Sequence, residues 1–411
     1  MRLIIHDYAG HPFQIQLSRE LARRGHSVIH AFAAGLLTPR GSLQRKADDP
    51  NTFELIEVPM HVNYRRDKYR FLRRRRMEVN YGHAIASLVS EKLPEIVISA
   101  NTPTEPQLQI ANTCSRLGIA FVPWIQDFYS VAVAKLARKR LPIIGNLIAW
   151  WYRHLEIRTF QQAAAVVAIT NDFVPMLCQL GVPKEKITVI PNWAPLEELP
   201  LRPRCSTWSA RHNLDDRFVF LYSGTLAMKH NPDLLRHLAI QFRDDSEVRI
   251  VVISEGPGAD YLLECQTKEN LGNLIILPFE SFGQMPDILA SGDVLVAVLE
   301  ADAGIFSVPS KVLTYHCAGK PILAAIPPGN LAARIIIHEG SGMCVEPHET
   351  DRFASAACQL RKNAAVRQRC GEMARAYAER EFDIQKIADR FEESILCYLS
   401  GYTRAPIECG R

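Results

Sequence analysis

At 411 residues the chain is too long for one ordinary core and fits two domains of about 150–200 residues each. Its 47% apolar and 22% charged residues are those of a globular protein, which excludes disordered and fibrous classes. A net charge of +4 does not mark a nucleic-acid binder, and ten scattered cysteines without a CxxC pair argue against a disulfide framework or a structural zinc.

The chain opens on an apolar run, 3–5, that breaks at His6 and Asp7 and is far too short for a signal peptide or a membrane span. With reduced thiols expected, the predicted location is cytoplasmic. Short runs rich in β-branched residues predict strands at 3–6, 28–31, 96–99, 121–125, 166–169 and 188–190, with helical periodicity over 13–24. The longest apolar stretch, 141–152, contains Pro142, Gly145 and Asn146 and falls short of the roughly 20 residues needed to cross a bilayer. The alternation pauses between Asn192 and Asp216, where Pro195, Pro200 and Pro203 follow Pro191. Proline fixes φ and lacks an amide donor, so this stretch reads as a linker. A second set of strands is predicted at 219–222, 248–253, 274–277, 294–298 and 322–325, with helices over 233–242 and 311–317; from 351 to 399 the pattern is purely helical.

Such alternation predicts an α/β fold of two doubly wound, Rossmann-like domains with parallel sheets. The boundaries read as 1–195, a linker over 196–216, a second domain over 217–385, and a carboxyl-terminal helix, 386–411, that packs back on the first domain. Ligands of open parallel sheets sit beyond the carboxyl ends of the strands, so two such domains are expected to face a central cleft.

Four motifs follow predicted strands. In Asp7-Tyr8-Ala9-Gly10-His11-Pro12, Gly10 either lets backbone approach a phosphate or simply turns the chain. There is no GxGxxG, which argues against a nicotinamide-dependent dehydrogenase. Next, Gly224, Thr225, Lys229 and the Asn231-Pro232 helix start would make a diphosphate cradle, since free amides and an ammonium both favour anionic oxygens. The run Ser254-Glu255-Gly256-Pro257-Gly258 is a tight turn or a further ligand contact. Finally, Pro309 and Ser310 open a helix, Lys311 adds charge, Thr314 shares its face, and Gly319-Lys320-Pro321 ends it.

Taken together, Pro191-Asn192-Trp193, the run from Ser223 to Asn231, Glu255 to Gly258, Pro309 to Pro321 and the opening 10–28 resemble the retaining GT-B glycosyltransferases of family 4. The likeness is nearest to bacterial enzymes of colanic-acid, O-antigen and exopolysaccharide assembly. The resemblance implies a nucleoside-diphosphate-sugar donor, held by Lys229 with Gly10, Gly224, Thr225, Glu255, Gly256, Pro309, Ser310, Lys311 and Thr314. With no HExxH, no paired His/Cys spacing and no isolated DxD after a strand, no metal and no cofactor are expected. Two positions depart from the family pattern: Phe306 and Thr314 stand where many relatives carry glutamates eight residues apart, which puts ribose binding by a side chain in doubt. Gln126-Asp127 stands where many relatives have a histidine.

Retaining enzymes of this kind need no protein nucleophile; they stabilise charge on the departing diphosphate and orient two substrates. Lys229 and the amides around Ser310 are expected to stabilise that charge. Asp127 either orients or deprotonates the acceptor hydroxyl, or caps the helix after it. Eight basic residues lie between 65 and 76, interleaved with Tyr64, Tyr69, Phe71 and Leu72, and a basic run from Lys135 precedes an apolar segment ending near Trp151. These are a peripheral anchor on the anionic inner face of the cytoplasmic membrane, near a polyprenyl-linked glycan acceptor, or else a solvated face and a core helix. Nucleic acid is the rival partner, and no recognised binding module accompanies the charge. A nucleotide-sugar 2-epimerase, and a catalytically silent scaffold of a polysaccharide-assembly complex, are the competing readings of the whole chain.

Overall fold

The structure is a computed structural model and describes residues 1–36, 40–67, 70–141, 144–226, 230–301, 308–397 and 399. The chain divides into two compact units, one of 1–191 with 384–411, the other of 192–383. The first unit runs β1 (Arg2–Asp7), α1 (Pro12–Arg23), β2 (Ser27–Ala33), β3 (Phe53–Val58), α2 (Tyr64–Asp67), α3 (Phe71–Lys92), β4 (Ile96–Ala100), α4 (Thr104–Leu117), β5 (Ala120–Ile125), α5 (Tyr129–Arg140), α6 (Gly145–Gln161), β6 (Val166–Ala168), α7 (Val174–Gln179) and β7 (Ile187–Val189). The second runs α8 (Thr207–Arg211), β8 (Phe218–Ser223), α9 (Pro232–Gln241), β9 (Val248–Ile253), α10 (Pro257–Lys268), β10 (Leu274–Leu277), α11 (Met285–Ser291), β11 (Val294–Val298), α12 (Lys311–Cys317), β12 (Ile322–Ala325), α13 (Leu331–Glu339), β13 (Gly342–Val345), α14 (Thr350–Lys362) and α15 (Ala364–Glu381). A last helix, α16 (Ile384–Phe391), belongs to the first unit.

Both sheets are wholly parallel and doubly wound, as the alternation predicts: β3-β2-β1-β4-β5-β6-β7 in the first unit and β10-β9-β8-β11-β12-β13 in the second. Strand order reverses beside β1 and beside β8, and these are the switch points where such sheets bind ligands. At the first, Leu3 lies between Val28 and Ile96; at the second, Phe220 lies between Ile250 and Val294. Central strands such as β4 and β11 are buried along their whole length, because helices cover both faces and leave no place for a polar alternation. Phe220, Leu234, Leu238, Ile250, Val296 and Leu323 lie in the second unit's core, each contributing about 1.5–3 kcal/mol by burial.

The stretch 196–216, read as linker, contains α8 and lies in the second unit. It is pinned there by Arg204, whose guanidinium grips both oxygens of Asp293 at 3.1 Å. Helix α16 packs on α1: Arg24 donates to Glu20 (2.9 Å), to Asp389 (2.6 Å) and to Glu392 (2.5 Å), while Phe391 meets the Trp124 ring edge-on at 5.0 Å.

Candidate functional site

Each unit carries its own cluster at the carboxyl ends of its strands. In the second unit, β8 ends in Ser223 and the chain turns at Gly224, whose φ of +127° is open to glycine and strained for any other residue. Tyr222, on the same strand, is fully buried, and its phenol donates to the Thr225 carbonyl at 2.8 Å. Helix α12 starts beside this turn. The Lys311 ammonium lies 3.6 Å from the centroid of the Tyr222 ring and hydrogen-bonds the phenol, while its Cε would stand 3.3 Å from a Cβ on Gly224. One turn on, the Tyr315 hydroxyl accepts from the Ser223 amide at 3.0 Å and so clamps the end of β8 to α12. The second and fourth sequence motifs, 87 positions apart counted from Gly224 to Lys311, therefore form one site.

The other predicted donor residues take definite places. Thr225 and Ser310 are exposed, Pro309 is buried, and Ser310 makes no side-chain cap bond to α12. Thr314 donates its hydroxyl proton to the Lys311 carbonyl at 2.8 Å, which leaves only lone pairs for a ribose. Gly256, with φ +101°, and Pro257 open α10, and a Cβ on Gly258 would come within 2.6 Å of the Leu226 carbonyl. Turn geometry and the approach of these two loops account for both glycines. Lys229 and Phe306 lie outside the described residues.

In the first unit, Gly10 follows β1 with φ +78°, and the Asp7 carboxylate accepts from the amides of Ala9 (3.2 Å) and Gly10 (2.9 Å). Burial pushes the Asp7 carboxyl up to about 7, against those amides and the Arg40 charge. A Cβ on Gly10 would meet Leu43 at 2.9 Å and Arg40 at 3.3 Å, so its own unit's packing already requires glycine there.

At the ends of β4 and β5 a small cavity of about 30 Å³ is lined by Asn101, Thr104, Gln126, Asp127, Tyr129 and Glu156, among others. Asn101 has φ +44°, which is strained for a residue with a side chain. The Asn101 Oδ1, Thr104 Oγ1 and Gln126 Nε2 atoms are buried with no hydrogen-bond partner. Glu156 is buried, accepts from the Ser130 amide at 3.3 Å and from its hydroxyl, and has its carboxyl pushed up to about 7 by burial. Asp127 is half-buried on the wall of this cavity, and the cap of α5 is Phe128, which makes no side-chain cap bond. Sequence reasoning gave a role to Asp127 alone of these and named Gln126 only as a departure from the family's histidine. The signal for Asn101 was the same as for Asp127, a polar residue just past a predicted strand.

The basic run at 65–76 is more engaged than its composition suggests. Arg74 pairs with Glu78 at 2.7 Å, and Arg75 with Glu105 at 2.8 Å. Glu78 also accepts from Tyr64, and Glu105 from Tyr152. Arg66, Arg70 and Arg73 gather round Asp67 at 3.5–3.7 Å. Positions 68, 69, 142 and 143 lie outside the described residues. The segment 141–151 is not a plain core helix: Leu147 is 63% exposed and Trp150 59%. No helix among the described residues is long and apolar enough to cross a membrane, and no three His, Cys, Asp or Glu side chains among them gather as a metal site.

Two family models match the chain in tandem, the glycosyl transferase 4-like domain over 14–193 and the glycosyl transferases group 1 domain over 217–363. A protein named for colanic acid biosynthesis glycosyl transfer, WcaI of Escherichia coli (strain K12), is 23% identical over 234 residues, 56% of each chain. The match thus spans little more than half of that relative. The crystal structure of HepE from Anabaena in complex with UDP and glucose superposes with a TM-score of 0.70 at 15% identity, covering 97% of this chain and all of that one. A structure described as a UDP-N-acetylglucosamine 2-epimerase from Listeria monocytogenes gives 0.62 at 12% identity, covering 97% and 96%. At these identities the superpositions establish the fold, GT-B. The tandem domain matches, the fold and the motifs gathered round Lys311 agree, and the chain belongs to the family 4 type of GT-B glycosyltransferases.

Proposed function

We propose that the chain is a retaining glycosyltransferase of polysaccharide assembly, moving a sugar from a nucleoside-diphosphate sugar to a glycan acceptor. The observation that carries the reading is the Lys311 ammonium, held over Tyr222 beside the Gly224 turn at the second sheet's switch point. A cation fixed there faces the charge that grows on a leaving diphosphate, and fixed charges lower a barrier without reorganising. Exposed Thr225 and Ser310 and the amides around Ser310 complete the donor half-site, with Lys229 as a second cation. HepE was crystallised with UDP and with UDP-glucose, which makes a uridine diphosphate sugar the first donor to try. The proposed handling of the diphosphate calls on these groups and on no metal.

The acceptor hydroxyl is assigned to the first unit's cavity, where Asn101, Thr104 and Gln126 offer unsatisfied polar atoms and Asp127 a carboxylate. In the retaining step the acceptor oxygen bonds to the anomeric carbon as the bond to the diphosphate breaks on the same face. Asp127 orients the hydroxyl, whose proton passes to it or to the departing phosphate. The test is incubation with uridine, guanosine and adenosine diphosphate sugars. Slow release of nucleoside diphosphate, accelerated by a lipid-linked glycan, is expected; an isomerised donor without release would turn the reading to the epimerase, and no nucleotide binding to the silent scaffold.

The same proposal places the protein on the inner face of the cytoplasmic membrane, near a polyprenyl-linked acceptor. Its support is Leu72, 78% exposed, with Arg73 and Arg76 on α3, and the exposed Ile144, Leu147 and Trp150 at the start of α6. Each basic side chain near an anionic leaflet contributes about 1 kcal/mol. Arg74 and Arg75, already paired, are left out of that sum, and Arg73, 3.5 Å from Asp67, counts for less than Arg76. Replacing Arg73 and Arg76 by Glu together with Trp150→Ser should release the protein from phosphatidylglycerol vesicles; unchanged co-sedimentation would discard this placement.

A further inference from the structure

The amino ends of the second sheet, away from the Gly224 turn, carry a groove of about 540 Å³ that neither half-site uses. One wall is helix α15; the other is the turn Gly319-Lys320-Pro321 that enters β12, with Asp293 just before β11. Helix and turn meet backbone to backbone, since a Cβ on Gly371 would come within 2.4 Å of the Gly319 carbonyl. Lys320 therefore enters the groove beside Gly371, and Arg367 lines it one helical turn earlier on α15.

Among the described residues neither of these two cations forms an ion pair with a carboxylate, and Asp293 acts on Lys320 only through space. Lys320 is half-buried and makes no hydrogen bond or ion pair among the described residues. The nearby Asp293 is already taken, by both nitrogens of Arg204 at 3.1 Å and by the Val219 amide at 2.8 Å. Arg367 spends one nitrogen on the carbonyls of Leu360 (2.7 Å) and Arg361 (3.1 Å) and lies 5.0 Å from the Phe218 ring centre. Arg375, by contrast, is held by the Cys317 carbonyl at 2.7 Å and by Glu379 at 2.7 Å. Burial draws the Lys320 ammonium below the ordinary lysine range; Asp293 opposes the fall and Arg204 adds to it. A half-buried charge without a directly bonded counter-ion is costly, and an entering anion reduces that cost. A point ammonium beside a planar guanidinium is the donor pair that suits phosphate oxygens. Glu372 and Glu379 on the same helix repel an anion and confine it to the Lys320 end of the groove.

We infer that this groove is a second anion site, in which Lys320 and Arg367 bind a phosphate group carried by a small metabolite or by a lipid headgroup. The test is calorimetric titration of the full chain with inorganic phosphate, in a Lys311→Met, Lys229→Met background that removes both cations assigned to the diphosphate half-site. Saturable binding is expected there, and adding Lys320→Gln should weaken it about tenfold or more, the loss of one charged hydrogen bond. Arg367→Gln should act in the same direction, which guards against a folding defect in the first variant. Vesicles of phosphatidylcholine with phosphatidic acid separate the sources: co-sedimentation lost with Lys320→Gln assigns a lipid phosphate, whereas phosphate binding without vesicle binding assigns a soluble one. Parent-like phosphate affinity in both glutamine variants, or a protein that binds neither phosphate nor phosphatidic acid, would overturn the site.

Discussion

Gly224→Ala tests the joint between the two donor motifs with a single methyl group. At φ +127° an alanine sits in a region L-residues avoid, which costs about 1–3 kcal/mol. The new Cβ would lie 3.3 Å from Lys311 Cε, so the lysine must also give by a few tenths of an ångström and lose part of its seat on the Tyr222 ring. For a folding unit of this size each kcal/mol lowers Tm by roughly 2–4 °C, so the second unit should melt about 2–12 °C lower. Moving the ammonium forfeits about 1–2 kcal/mol of anion binding, and uridine diphosphate affinity should fall roughly 5–30-fold. Gly272→Ala is the control, because a Cβ there meets nothing within 4 Å and its φ is not positive. Calorimetric melting and nucleotide titration on the two variants give both readouts. A Gly224→Ala protein that melts and binds like the Gly272→Ala control would refute the reasoning.

Three further outcomes are expected. Lys311→Met keeps the side-chain bulk and removes the charge, so donor turnover should drop about 10–100-fold, with melting changed by less than about 1 kcal/mol; equal turnover would remove Lys311 from the site. Arg24→Ala removes the cation shared by Glu20, Asp389 and Glu392, leaving Glu392 to His26 at 2.9 Å, so it should destabilise the first unit by about 1–3 kcal/mol in urea and expose the chain near Ile384 to protease; parent-like resistance would contradict the clamp. The Glu156 carboxyl, raised to about 7, keeps its proton when folded and loses it when unfolded, so its contribution to stability is present below the ordinary carboxylate range and is lost as pH rises toward 7. Glu156→Gln should flatten that part of the stability–pH curve, and an unchanged slope would show that the carboxylate is not buried as described.

The buried strands of both sheets are legible in sequence because a parallel strand covered on two faces must be a continuous apolar run. The strands missed, β3 and β13, are both sheet edges. β3 carries exposed Glu54 and Glu57, one on each face of an edge strand, and β13 begins with Gly342, so neither shows an unbroken β-branched run. At the donor half-site the sequence supplies Gly224 and Lys311 but not Tyr222, because a buried aromatic near the end of a strand looks like any core residue until a distant helix sets an ammonium on it. The arginines show the converse: charge was plain in 65–76, and Arg74 meets Glu78 one turn on along α3, while the neutralisation of Arg75 by Glu105 depended on α3 and α4 packing together.

Lysine-selective acetylation, with and without saturating nucleotide sugar, reads the donor half-site directly. Lys311 should be protected several-fold by the nucleotide sugar, while Lys268, exposed and paired with Glu264 across one helical turn, labels equally in both states. Equal labelling of Lys311 in the presence and absence of a donor shown to bind would contradict the assignment of the diphosphate to this turn.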